Sequence, residues 1–253
     1  MAESDSRWTI SGKRALVTGA AKRLGRDITL ALARAGTHVV LHYHSSKTEA
    51  NKLADECRAL GVQAHTVSAD LSDSVAAAGL VAQATTQAGP LDILINNASV
   101  FPSSTLHDLT EEKLCDNVRV NALAPFLLTR AFATQTEDGV VINLLDTRIT
   151  EYDRNHAAYH ASKRMLATLT RMTALEFAPQ IRVNGIAPGL ILPPEGKDES
   201  YLAALTDTVP LGRHGSPEDI ARTVLFLAGS AFITGEIIFV DGGRRMKGDM
   251  YGF

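Results

Sequence analysis

Apolar residues in this chain fall into short continuous runs, and stretches with helical spacing separate one run from the next. The runs are Arg14-Ala15-Leu16-Val17, Thr37-His38-Val39-Val40-Leu41, residues 62–67, Leu91-Asp92-Ile93-Leu94-Ile95, Val140-Val141-Ile142, residues 181–186 and residues 236–240. Runs of this length, bounded by Gly, Pro, Asn and Asp, read as buried strands. Helical patterns fill the gaps. One opens at the turn Thr18–Gly25 and runs to about Arg34, one spans 47–60 before Gly61, and one spans 74–87 before Gly89-Pro90. Others cover 111–119, 121–133 and a stretch through Tyr159 that Pro179 ends, and the last starts at Ser216-Pro217 with a serine cap. Strands alternate with helices without a compositional break, which predicts one α/β domain over 1–253 with a single doubly wound parallel seven-stranded sheet flanked by helices. Residues 1–11 read as a flexible polar start. The segment at about 191–215, with Pro193-Pro194-Glu195-Gly196-Lys197-Asp198, reads as a lid over a ligand.

Composition narrows the partners. A formal charge of −3 on 253 residues gives no electrostatic reason for binding nucleic acid or an anionic membrane. Cys57 and Cys115 fit no metal or disulfide spacing, so no metal site is expected, and free thiols suit a reducing cytoplasm. The polar start lacks a signal-peptide core, and no apolar run approaches ~20 residues. A cytoplasmic protein acting on a small molecule is the expectation.

Candidate chemistry centres on Tyr159 and Lys163, one helical turn apart on one face. The ammonium should draw the phenol pKa down from about 10 toward neutral, where it can give and take protons. Asp146 follows the run Val140-Val141-Ile142, so the strand delivers a carboxyl group to its C-terminal end, where open α/β sheets bind ligands. Asp146 could also simply cap the segment that follows. Upstream, Gly19 and Gly25 permit a tight turn and close helix packing at a helix start suited to a pyrophosphate. About 20 residues on, where an acid would select the unphosphorylated ribose, stand His42-Tyr43-His44-Ser45-Ser46-Lys47, with Lys22 and Arg23 facing them. That set reads as a cradle for a 2′-phosphate, hence NADPH over NADH. Asp70-Leu71 follows a strand and either caps the next helix or meets an adenine amino group. Asn96-Asn97-Ala98-Ser99-Val100-Phe101 turns sharply beside the site. Asn121, on a mostly apolar helix, either supports a water chain or holds a backbone carbonyl. Pro188-Gly189 ends a strand near the expected nicotinamide.

These motifs, in this order across nearly the whole chain, resemble the short-chain dehydrogenase/reductase family, which implies a Rossmann fold. Two departures stand out: Arg23 replaces the middle glycine of the turn, and Asp146 stands where a serine is usual. With His42-Tyr43-His44, Asn97-Ala98-Ser99-x-Phe101 and the segment 186–192, they resemble pteridine reductases and the related dihydromonapterin reductases. The resemblance implies catalytic Asp146, Tyr159 and Lys163, with Asn121 in support. It implies NADPH bound by Gly19, Lys22, Arg23, Leu24, Gly25, residues 42–47, Asp70, Leu71, Asn97, Ala98, Ser99, Pro188 and Gly189. It places a pterin between Phe101 and the nicotinamide, near Arg23, Ser99, Leu190 and Leu192, in a homotetramer built through the Tyr159 helix and the last strand. An arginine common after the second histidine in these enzymes is Ser45 here, so phosphate binding leans on His44, Ser46 and Lys47. The expected reaction is reduction of a pterin C=N bond, with Tyr159 and a partly protonated Asp146 handling the proton. The competing readings are a reductase of ketones or 3-oxoacyl thioesters, and a dinucleotide-binding regulator that has lost turnover.

Overall fold

The structure, a computed structural model, describes residues 9–194 and 196–246. Most of the predicted flexible start, and Glu195 of the lid, lie outside the described residues. The elements in chain order are β1 (Arg14–Val17), α1 (Arg23–Arg34), β2 (His38–Tyr43), α2 (Lys47–Ala59), β3 (Ala64–Ser68), α3 (Ser74–Ala88) and β4 (Ile93–Asn96). They continue with α4 (Glu111–Val118), α5 (Ala124–Ala133), β5 (Gly139–Leu144), α6 (Ala157–Glu176), β6 (Ile181–Pro188), α7 (Glu199–Ala203), α8 (Pro217–Gly229) and β7 (Ile237–Val240). The strands form one parallel sheet in the order β3-β2-β1-β4-β5-β6-β7.

Both faces of each central strand are buried, which is why the strands read as unbroken apolar runs. Ala15, Val17, Val39, Leu41, Ile93, Ile95, Val140 and Ile142 pack on one side with Ile28 and Leu32 of α1, Leu53 of α2 and Val224 of α8. The residues between them, Leu16, Val40, Leu94 and Val141, pack on the other side with Leu80 of α3 and Leu128 and Phe132 of α5. Alternate side chains of one strand therefore feed two separate cores. Burial of each such side chain contributes roughly 1.5–3 kcal/mol before entropy is counted.

Three local features depart from the hydrophobic pattern. The ladder carries β2 past its apolar run, pairing His42 with Val67 and Tyr43 with Ser68. α4 and α5 are joined without a break by a wide π-helical turn, Arg119–Leu123, and Pro125 sits in the first turn of α5. The lid holds α7, capped by Asp198, which accepts from the Ser200 N–H. Five residues are too few for helical periodicity to register. The chain order reverses between β1 and β4, and the crevice opened at their C-terminal ends is where ligands of such sheets lie.

Candidate active site

At the end of β1 the backbone turns through Gly19 at φ +61°. A Cβ on Gly25 would lie 2.1 Å from the Gly19 carbonyl oxygen, so the turn can close against α1 only with glycine there. Asn97, at the end of β4, donates to the carbonyls of Thr18 and Gly19 at 2.9 and 3.1 Å and locks the turn from its other side. His42 holds the turn as well. Its Nδ1 accepts from the Gly19 N–H at 3.1 Å and its Nε2 donates to the Ala69 carbonyl at 3.1 Å. Burial lowers the His42 pKa to about 4, so the ring is neutral in this bonding pattern. The first turn of α1 has no acidic residue and no side-chain cap, which leaves its N–H groups to an anion. Arg23 adopts a left-handed backbone, φ +51°, and its guanidinium donates to the Pro193 carbonyl at 2.5 Å, tying the turn to the lid.

The far end of the cleft differs from the sequence reading. Lys22 is paired with Glu49 at 2.9 Å, and the His44 ring stands 3.9 Å from Asp70. Asp70 does not cap α3; it closes a turn by accepting from Ser72, and Asp73 is the cap. Tyr43, Ser45, Ser46 and Lys47, expected around the phosphate, are absent from the lining of the cleft, and Ser46 instead starts α2.

At the centre, Tyr159 Oη donates to Asp146 Oδ2 at 3.0 Å, while Asp146 Oδ1 accepts from the Arg148 N–H at 2.8 Å. The cap and the contact with Tyr159 thus use different oxygens of one carboxylate. The expected fall in the Tyr159 pKa is reversed: burial first, then the charge and hydrogen bond of Asp146, hold the phenol well above the usual tyrosine range. Lys163 makes its hydrogen bond elsewhere. It is buried, donates to the Leu144 carbonyl at 2.7 Å, and passes the Tyr159 ring at 5.7 Å. Burial lowers its pKa to about 8, which still leaves it charged at neutral pH.

Asn121 does not line the cleft, and of the two roles open to it from sequence the structure shows the hold on a backbone carbonyl. It sits in the π-helical turn, donates to the Val100 carbonyl at 2.9 Å and Ser162 Oγ at 3.1 Å, and accepts from the Val100 N–H and Ser99 Oγ. Its amide fixes the 99–101 loop against α6. That loop presents Phe101, 40% exposed and therefore not a core residue. The Phe101 ring stacks on His156 at 3.9 Å, meets Tyr159 edge-on at 4.5 Å, and lies 5.1 Å from the Arg148 guanidinium. Arg148 also contacts His156 at 3.4 Å.

A cleft of about 910 Å³ connects these parts, at the upper end of the ~300–1,000 Å³ usual for ligand sites. Gly19, Lys22, Arg23, Leu24, Gly25, His42, His44, Asp70, Leu71, Asn97, Ala98, Ser99, Phe101, Asp146, Tyr159, Lys163, Pro188, Gly189, Leu190 and Leu192 all line it. Arg148, Tyr201 and Arg244 line it too and were missed. Arg148, two residues after Asp146, could have been placed there from spacing alone; Tyr201 depends on the fold of the lid. Among the described residues no group of three or more His, Cys, Asp or Glu is placed to hold a metal, and no helix is long and apolar enough to cross a membrane.

Comparison with known proteins agrees with this geometry. Residues 19–245 match the family model described as enoyl-(acyl carrier protein) reductase. An uncharacterised oxidoreductase of Methylorubrum extorquens is 38% identical over 246 residues, covering 93% of this chain and 99% of the relative. A 3-oxoacyl-[acyl-carrier-protein] reductase of Staphylococcus aureus is 33% identical, covering 92% of this chain and 98% of its own. The crystal structure of FolM alternative dihydrofolate reductase 1 from Brucella canis, complexed with NADP, superposes with a TM-score of 0.91 at 32% identity, covering 97% of this chain and 98% of that one. A Gly-rich turn opening α1, a Tyr159/Lys163 pair on α6 and these relatives together make the chain a member of the short-chain dehydrogenase/reductase family.

Proposed function

We propose that the protein is an NADP-dependent oxidoreductase that reduces a C=N bond of a pterin ring, taking a dihydropterin to its tetrahydro form. NADP(H) is the cofactor, since the similar FolM structure carries NADP and the residues here fit it. The uncapped, acid-free first turn of α1, the Gly19 and Gly25 turn, and the Asn97 lock form a phosphate cradle. NADPH supplies the hydride when bound.

The Asp146 carboxylate 3.0 Å from the Tyr159 hydroxyl carries the pterin reading. Reduction of a ketone builds negative charge on oxygen, which a nearby carboxylate opposes and a serine hydroxyl does not. Reduction of a ring imine can run with the nitrogen gaining its proton as hydride reaches the adjacent carbon, so charge there develops in the positive sense. A carboxylate favours that course. In this scheme Tyr159 is the proton donor, Asp146 orients its hydroxyl, and a proton from solvent, relayed through the carboxylate, returns Tyr159 to its starting form. Lys163 fixes the end of β5 through Leu144, and its remaining N–H donors would hold the cofactor ribose. Phe101, stacked on His156 and lining the cleft beside Tyr159, would be the apolar surface against which the pterin packs.

The likeness to the Staphylococcus aureus 3-oxoacyl reductase favours a second reading, reduction of a ketone or 3-oxoacyl thioester. Steady-state oxidation of NADPH and NADH with dihydrobiopterin, dihydromonapterin, dihydrofolate and acetoacetyl thioester separates the two. Pterin turnover supports the proposal; turnover of the thioester alone overturns it. Met172 and Leu175, exposed on α6 by 61% and 83%, support assembly through that helix into a homotetramer.

A further inference from the structure

The end of the cleft that takes the adenosine ribose in a doubly wound sheet lies beyond β2, where α2 begins. A phosphate on the 2′ oxygen is all that separates NADP from NAD, and it must be met there by cations or helix N–H groups. Residues of both kinds are present. Lys22 precedes α1 and lines the cleft, and α2, whose first residues lie outside that lining, begins after Ser46, which makes no side-chain cap bond. The same first turn also carries an acid. Glu49 Oε1 lies 2.9 Å from Lys22 Nζ and bridges the glycine turn to α2. The Lys22 hydrogen bond keeps the Glu49 carboxyl below its ordinary pKa, so it is ionised at neutral pH. With 55% and 45% of the two side chains exposed, the pair is a solvated one that a ligand can open.

We propose that Glu49 tunes cofactor choice by standing in for the 2′-phosphate: it occupies Lys22 in the free protein, and the phosphate must displace it to reach that cation. After displacement the carboxylate remains beside a dianion. NADPH affinity is therefore set below what Lys22 and the α2 N-terminus would otherwise give, whereas NADH, which lacks the phosphate, meets no competitor. The spacing from the end of β2 hides this acid from a search at the usual position, because it lies one turn into the helix. The inference rests on the NADP assignment and is independent of whether a pterin or a ketone is reduced.

Calorimetric titration of the full chain with NADPH, NADH and 2′,5′-ADP tests it, using wild type, Glu49→Gln, Lys22→Gln and the double variant. Glu49→Gln should tighten NADPH and 2′,5′-ADP by about two- to fivefold, the range an exposed pair allows, and leave NADH unchanged. Lys22→Gln should weaken NADPH more in the Glu49→Gln background than in wild type, and both effects should shrink as salt rises. Unchanged NADPH binding in Glu49→Gln, or equal shifts for NADPH and NADH, would refute the role of Glu49 while leaving the cofactor assignment intact. Failure of wild type to bind NADPH would remove both.

Discussion

His42 supports the glycine turn only while it is neutral, and this makes the fold acid-sensitive at one identifiable side chain. In the unfolded chain its imidazole titrates at its ordinary value of 6.5; in the fold burial lowers that to about 4. Above pH 6.5 both forms are neutral and the contribution is complete. As pH falls through the window from 6.5 to about 4, the unfolded chain takes up a proton that the fold refuses, and stability is lost; below that window the loss stops. Linkage puts the loss between pH 7 and 4.5 at about 2–3 kcal/mol. The perturbation is His42→Leu. At pH 7 it leaves the Gly19 N–H and the Ala69 carbonyl without their partner, which costs about 1–3 kcal/mol for each group. Urea unfolding followed by circular dichroism at pH 7 and 4.5 gives the comparison, since carboxylates common to both proteins cancel in the difference. The variant should be weaker at pH 7 yet lose about 2–3 kcal/mol less than wild type on acidification. Equal acid losses in the two proteins would refute the argument that His42 is held neutral.

Tyr159→Phe should lower kcat by roughly 10²–10⁴-fold, the range for loss of a proton-transfer group, while NADPH still binds in a fluorescence titration; retained kcat would remove Tyr159 from the mechanism. Gly25→Ala forces a Cβ to within 2.1 Å of the Gly19 oxygen and should cost about 1–3 kcal/mol in thermal unfolding, with a larger proportional loss of NADPH affinity, because the turn that moves is the phosphate cradle. Asn121→Ala frees the Val100 N–H and carbonyl; it should raise KM for the reducible substrate more than KM for NADPH, since the loop it releases presents Phe101. A comparison of the two KM values checks this, and an equal rise in both would count against it.

The strands and the doubly wound sheet were legible because each strand is buried on both faces, and continuous apolar runs are the direct imprint of that burial. The glycine turn was legible for a steric reason, since Gly25 tolerates no side chain. The spacing of Tyr159 and Lys163 was legible because a helix has a fixed period. What escaped was set by partners distant in sequence. Lys22 is spent on Glu49, and Asn121 is spent on the 99–101 loop. The direction of the Tyr159 pKa was set first by burial and then by which neighbour comes closer. Lys163 is turned to the Leu144 carbonyl while Asp146 touches the hydroxyl, so the carboxylate wins over the ammonium. The short helix α7 escaped because Asp198 caps it locally and it is too short for any period. Arg148 was passed over because attention stopped at Asp146, although the backbone N–H of Arg148 is what fixes that carboxylate.

In the proposed reaction, the carboxylate at Asp146 is what favours protonation of nitrogen over protonation of oxygen. Replacing it by serine, Asp146→Ser, and measuring kcat/KM for dihydropterin and for acetoacetyl thioester in parallel tests this most directly. Dihydropterin reduction should fall by roughly 10²-fold or more, as for loss of a proton-transfer partner, while thioester reduction holds steady or rises. Equal falls on both substrates, or an unimpaired rate with dihydropterin, would contradict the account.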